Sequence, residues 1–278
     1  MTLYGPDTSN NNFGSAAQAT AFVAQLPGQG FSWITQKVSE GDYYRDPYWP
    51  VISQWCRQNG FPCIGYHYVT TDSPAAQAQT WKANGGGNFA MLDFEANSGD
   101  MTNFWNVVRA FNAAGVHISL SYIPHWYWQQ IGSPDLSQVP GLIASDYVPG
   151  TGYASSLYPG DESSYWAPYG GATPQLLQFT DAALIGSLSV DANAFRGTLD
   201  QLIALLQGDI VSQPDPTAAT LNQILAIVQD IQIQLRGPSL QGWPQLGHNA
   251  KGQNLTLVDA VAALTAQVND IQAELDQG

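Results

Sequence analysis

Up to about residue 208, short apolar runs alternate with amphipathic stretches. Runs at 3–7, 31–38, 62–69, 89–96, 117–123, 141–148 and 175–180, with a short one at 189–191, read as strands. Helical spacing of apolar residues falls between the first five, at 15–26, 46–59, 73–84 and 100–114. Asp46-Pro47 and Ser73-Pro74 each place an N-cap residue before a proline at the first helical position. Gly60, Gly85 and Gly115 stand just past three helix ends, where a left-handed residue stops a helix. Strands alternating with helices predict an α/β fold with a parallel sheet. Eight strands predict closure into an irregular (β/α) barrel of TIM-like type. Its later connections are irregular, as in the Gly-, Tyr-, Ser- and Pro-rich stretch 149–172.

The pattern changes after this barrel domain, 1–208. Residues 209–216 read as a linker, and 217–278 as an α-helical, coiled-coil appendage for oligomerisation or anchoring. Leu221, Ile224, Val228, Ile231 and Leu235 form one heptad-like seam. Leu257, Val261, Leu264, Val268, Ile271 and Leu275 form a second. Arg236-Gly237-Pro238 and the turn-rich Gln241-Gly242-Trp243-Pro244 separate them. The seams fit self-association, an intrachain helical hairpin, or docking onto the barrel.

Within the barrel, the run 89–96 carries the chemistry. Strand side chains alternate faces, so Phe89, Met91, Asp93 and Glu95 share one side, which passes from apolar to doubly acidic. Desolvation and mutual repulsion resist ionisation of such a pair, and one protonated acid beside one anion is a common catalytic arrangement. Barrels of this type place function at the C-terminal ends of their strands. Asp7, Asp93, Glu95 and Asp191 all fall at ends of the expected strands, so four acids converge on one rim.

Composition narrows the partners. The formal net charge is −14 with only 8 Lys plus Arg, which disfavours nucleic acid and anionic membranes. No apolar run approaches the ~20 residues that span a bilayer. The first residues lack a basic and an apolar region, so no secretory signal is visible. Nine Trp and thirteen Tyr suit either a carbohydrate groove or a large core. Cys56 and Cys63 can bridge or stay reduced. His117, His125 and His248 lack zinc-site spacing, and neither metal nor cofactor is expected. His67, between Tyr66 and Tyr68, reads as a hydrogen-bonded core or rim histidine. In the cluster 122–128, Tyr122 is a candidate for sugar stacking, whereas Trp126 and Trp128 are expected to pack.

Five landmarks in order carry a family resemblance: Asp7-Thr8-Ser9; Lys37-Val38-Ser39-Glu40-Gly41 with Tyr44-Arg45-Asp46-Pro47; Gly65-Tyr66-His67-Tyr68; Leu92-Asp93-Phe94-Glu95; and Val190-Asp191-Ala192-Asn193. Over roughly residues 3–207 the chain resembles family-25 glycoside hydrolases, lysozyme-like N-acetylmuramidases of bacteria and phages. The resemblance implies cleavage of the β-1,4 bond between N-acetylmuramic acid and N-acetylglucosamine in bacterial peptidoglycan. It gives Glu95 the part of general acid, Asp93 that of its electrostatic partner, and Asp7 and Asp191 positioning or water activation. Tyr66, Tyr68, Tyr122, Asp146 and Gln178 are the candidate substrate contacts. The chain departs from the family pattern at Asn12, where Gln is frequent, at Pro6, and at 142–147, which lacks a common Trp. The expected setting is phage-encoded, as an endolysin or a virion-associated lysin that self-associates or docks through its tail. The alternative is a non-catalytic structural or wall-carbohydrate-binding protein on the same barrel.

Overall fold

The computed structural model describes residues 2–207, 228 and 231–276. Contacts divide the chain into units 1–213 and 214–278. The expected linker, together with Leu221 and Ile224, lies outside the described residues.

In the first unit the strands are β1 (Thr2–Thr8), β2 (Ile34–Glu40), β3 (Tyr44–Arg45), β4 (Cys63–Tyr68), β5 (Phe89–Asp93), β6 (His117–Tyr122), β7 (Leu142–Ser145), β8 (Leu176–Ile185) and β9 (Leu188–Arg196). They hydrogen-bond in the order β1-β9-β8-β7-β6-β5-β4-β2-β3, and a further β1–β2 pairing closes the barrel. The β1–β2 ladder is confined to Asp7–Thr35 and Thr8–Gln36, past Pro6, whose ring nitrogen has no proton to donate.

Helices α1 (Ala16–Gln25), α2 (Trp49–Asn59), α3 (Pro74–Ala83) and α4 (Met101–Ala113) cover the sheet at the expected places. Ser15 caps α1 by accepting from Gln18 N, and Asp100 caps α4 by accepting from Thr102 N and Asn103 N. Asp46 is a correction. Helix α2 begins three residues later, at Trp49, and Asp46 is instead fully buried. It accepts from Asn10 N (2.8 Å), Tyr48 N (2.9 Å) and Gln36 Nε2 (3.2 Å), tying the β1–α1 loop to the start of α2. Two short helices follow, α5 (His125–Gln130) and α6 (Ala154–Leu157).

The sheet is not wholly parallel. A hairpin turn at Gly186, with φ +60°, reverses the chain between β8 and β9, so β9 runs antiparallel to both β8 and β1. Asp191 therefore reaches the rim from the first half of a strand, not from the end of a short one. Helix α7 (Leu199–Leu206) follows β9 and was legible only in its capping box, Thr198 with Gln201.

The strand period of two builds two cores. Outward residues such as Ile34, Val38, Leu92 and Phe179 pack with Phe22, Ile52, Trp81 and Phe104 of the helices. Inward residues Trp33, Ile64, Met91, Leu120, Ile143, Leu176 and Phe195 fill the lower barrel, joined by Leu202, Leu205 and Leu206 of α7. The lower interior is thus an apolar stack, interrupted by the buried Trp33 Nε1, and the acidic positions lie at the upper rim. Gly5 is part of the fit, because a Cβ there would meet Trp33 Cε2 at 2.1 Å.

In the second unit, residues 231–236 are helical, β10 (Trp243–His248) and β11 (Asn254–Leu255) form an antiparallel pair, and α8 (Leu257–Leu275) follows. The turn-rich stretch at 241–244 is therefore the entry to a hairpin. Thr256 and Asp259 make a capping box for α8, and no residue of α8 is buried. Its apolar positions, Leu264 and Val268 among them, lie exposed.

Gly5→Ala tests the barrel packing. Overpacking a filled core costs about 1–3 kcal/mol, and the aromatic wall behind Gly5 places this substitution at the upper end, read as a lower urea midpoint with an unchanged slope.

Candidate active site

The upper ends of β1, β2, β4, β5, β6, β8 and β9 surround a cleft of about 330 Å³. It is lined by Asp7, Asp93, Glu95 and Asp191, by Tyr66, Tyr68, Tyr122 and Gln178, and also by Lys37 and Tyr147. Eight of the nine residues singled out from the sequence thus come together. Asp146 does not: it lines a neighbouring cavity, and its chain neighbour Tyr147 turns to the cleft instead. Alternation beyond the end of β7 explains the exchange.

Each acid is set by its strand. Asp7 and Asp191 are directly opposed in the antiparallel β1–β9 ladder. Asp93, paired with Tyr68 on one side and Tyr122 on the other, ends β5 and is 9% exposed. Its Oδ1 is buried without a hydrogen-bond partner, an acceptor that an N–H or O–H in the cleft would satisfy. Glu95, half-buried, lies just past the strand in a turn: its carbonyl accepts from Ser98 N at 2.9 Å, and Asn97 takes φ +68°. Ser98 Oγ accepts from Glu95 N (3.1 Å) and donates to Val69 O (2.7 Å), which anchors that turn to the neighbouring strand end. Tyr68 OH donates to Ala96 O (2.7 Å). Tyr147 OH donates to Gln178 Oε1 (2.6 Å). Asn12 caps the short turn after β1 with Ser9 and lines the same cleft.

Burial dominates the electrostatics. It raises the pKa of Asp7 and Asp93 well above the ordinary range, with repulsion from Asp191 adding to the first and from Glu95 to the second. Glu95 is raised by burial, and Asp191 is raised to about 6 by burial, then Asp181 and Glu95. Among the described residues Lys37 is the single Lys or Arg lining the cleft; it pulls Asp7, Asp93 and Glu95 back down. It pairs with Glu40 and lies 5.1 Å from the Tyr68 ring centroid. Asp93, the deeper of the neighbouring pair, is the more strongly raised. Lys37 entered the sequence reading only within a landmark, and Tyr147 was missed; a lone lysine on an inward strand position was the available signal.

Other candidates take structural places. His67 faces outward, buried between Ser39 Oγ and Gln77 Oε1, each at 2.9 Å, and burial lowers it to about 4. Cys56 and Cys63 are free thiols, and contact with Cys56, then burial, pushes Cys63 up. Trp128 is partly buried, with Nε1 donating to Pro134 O, but Trp126 is 48% exposed instead of packed. Among the described residues, no group of three His, Cys, Asp or Glu side chains is placed to hold a metal, and no helix is long and apolar enough to cross a membrane.

The profile of "Glycosyl hydrolases family 25" matches residues 13–155, and that of "Rv3766 C-terminal domain" matches 207–272. "Uncharacterized protein Rv3766" of Mycobacterium tuberculosis is 32% identical over 184 residues, 65% of this chain and 52% of that protein. The chain thus spans about half the length of the curated relative it matches. Among solved structures, a bacterial lysozyme from Streptomyces coelicolor is 21% identical with a TM-score of 0.58, covering 75% of this chain and 98% of its own. A family GH25 lysozyme from Aspergillus fumigatus is 21% identical with a TM-score of 0.55, covering 74% and 99%. These structures share the barrel.

The raised acids set the pH dependence of stability. Asp191 sits at about 6 when folded, against about 4 in an unfolded chain. The folded protein therefore holds more protons across that window, so this contribution is full below pH ~4 and is lost as pH climbs through ~6. Asp7, Asp93 and Glu95 act with the same sign. Thermal midpoints followed from acid to neutral pH should show that Asp191→Asn flattens the decline and adds ~1 kcal/mol or more at neutral pH. Parallel profiles for variant and wild type would contradict the burial account.

Proposed function

The chain belongs to glycosyl hydrolases family 25, and from that premise we propose that it is a muramidase acting on bacterial peptidoglycan. The observation that carries this reading is the cleft itself: four carboxylates from three strands distant in sequence and the turn after one of them, with a buried unsatisfied acceptor among them.

Glu95, at the half-open end of the cleft, keeps its proton by burial and delivers it to the glycosidic oxygen as the C–O bond breaks. Positive charge then grows on the sugar ring, and Asp93, once ionised, stabilises it. Asp93 accepts from the substrate's acetamido N–H through Oδ1; that hydrogen bond and Lys37 both favour its charged form. Asp7 and Asp191, facing each other across one ladder, position substrate and activate water. Tyr66, Tyr68, Tyr122, Tyr147 and Gln178 shape the sugar-binding wall.

The proposal extends to the setting. The protein serves as a phage lysin, released to the wall at lysis or carried on a virion, and its tail self-associates through the second seam. Exposure of Leu257, Val261, Leu264, Val268, Ile271 and Leu275 on α8 supports the tail's role. The Mycobacterium tuberculosis relative makes a mycobacterial wall the first substrate to test.

Reducing-end release from purified peptidoglycan tests the activity. Glu95→Gln preserves shape but cannot give a proton, and the loss of a general acid lowers turnover by about 10²–10⁴-fold. Equal release by both proteins removes Glu95 from the mechanism; no release by wild type supports the non-catalytic, carbohydrate-binding alternative. For the tail, Leu264→Glu with Val268→Glu should reduce the mass measured by light scattering to that of a monomer. A wild-type protein that is already monomeric at high concentration overturns the seam.

A further inference from the structure

A second cavity opens on the same rim, beside the catalytic cleft. It measures about 400 Å³ and is walled by His125 and Trp126 from the start of α5, Asp146 from the end of β7, and Tyr165 and Tyr169 from the β7–β8 connection. Its floor is fixed. Tyr169 OH donates to Ile123 O, and the His125 ring lies 5.1 Å from Trp128 and 5.2 Å from Tyr169. Against this set framework, Trp126 alone among the nearby tryptophans presents an open ring, 48% exposed.

The two cavities share one wall. Asp146 N donates to Gln178 O at 3.1 Å, so the backbone at 146 is tied to the strand that supplies Gln178 to the cleft. Asp146 lines the second cavity while Tyr147, the next residue, lines the first and donates to the Gln178 side chain. Strands β5 and β7 flank β6, so the catalytic pair and Asp146 are separated by two strand spacings, about 10 Å. A polymer bound at Glu95 and running along the rim passes over this wall.

We infer that this cavity is a sugar-binding subsite for a further ring of the glycan strand held at the catalytic cleft. Trp126 supplies an apolar face for the ring. Asp146 and the Ser164 hydroxyl supply acceptors for its hydroxyl groups. Among the described residues the lining holds one carboxylate and no Lys or Arg, so it suits a neutral, hydroxyl-rich ring over a carboxylate-bearing peptide stem. The inference rests on the muramidase reading for the identity of the polymer, and it departs from the sequence expectation that Trp126 packs and Asp146 lies in the cleft.

Calorimetric titration of full-length Glu95→Gln protein with long peptide-free glycan strands, short glycans and isolated stem peptides tests it. Adding Trp126→Ala should weaken long-glycan binding about tenfold, equivalent to ~1.4 kcal/mol, while Trp126→Phe retains most of it. With the Glu95 side chain intact, Trp126→Ala and Asp146→Asn should each reduce the preference for long over short glycans in kcat/KM. Unchanged long-glycan affinity in Trp126→Ala, no long-glycan binding at all, or stem-peptide binding that Trp126→Ala abolishes would each overturn the subsite. The two proposals fail separately. Glycan binding that depends on Trp126, in a wild-type protein without turnover, leaves the subsite and removes the activity. Turnover that depends on Glu95, with binding indifferent to Trp126, does the reverse.

Discussion

Desolvation of carboxylates at the mouth of an apolar barrel interior is the constraint on which the rest depends. The inward faces of the strands are apolar from Leu3 and Trp33 up to Met91 and Ile143, and α7 adds leucines to that stack. Above this floor the same faces turn acidic within one or two residues: Met91 to Asp93, Gly5 to Asp7. Asp7 and Asp93 therefore stand on a low-dielectric base, which disfavours their anions more strongly than mutual repulsion alone. The fold tolerates that arrangement because the ladders on both sides fix the backbone regardless of protonation.

Lys37 gives the site its balance. It approaches the acids from β2 and opposes the rise of three of them, yet it is itself engaged with Glu40. One cation thus works against the effect of burial at three of the four rim acids. Acid-catalysed glycoside cleavage requires a proton at one carboxyl and negative charge at another. Ser98 adds the mechanical part by clamping the Glu95 turn to the end of β4.

Much of this was legible in the sequence because period-two alternation decides both faces at once. The run 89–96 gave Met91, Asp93 and Glu95 a common side, and the structure places all three in the cleft. Glycine stops at 60, 85 and 115 were readable for the same local reason, since each takes positive φ. What was not legible depends on tertiary context. The reversal of β9 hangs on a turn at Gly186 that resembles any other loop glycine. Asp46 before Pro47 looks like a cap, but its neighbours Gln36 and Asn10 are brought to it only by barrel closure. The exchange of Asp146 and Tyr147 is of another kind, because alternation from the inward Ile143 already puts Tyr147, and not Asp146, on the cleft side. The short pair β10–β11 joins segments whose turn residues mask their pairing.

The central claim is that burial keeps protons on the rim acids, and site-resolved carboxyl titration by 13C NMR tests it most directly. Exposed Asp and Glu side chains should ionise near pH ~4, while Asp7 and Asp93 retain protons well beyond that range and Glu95 titrates above its ordinary value, with the Asp93 and Glu95 curves interdependent. If all four rim carboxyls titrate together with the surface acids, the barrel floor exerts no such control and the account is wrong.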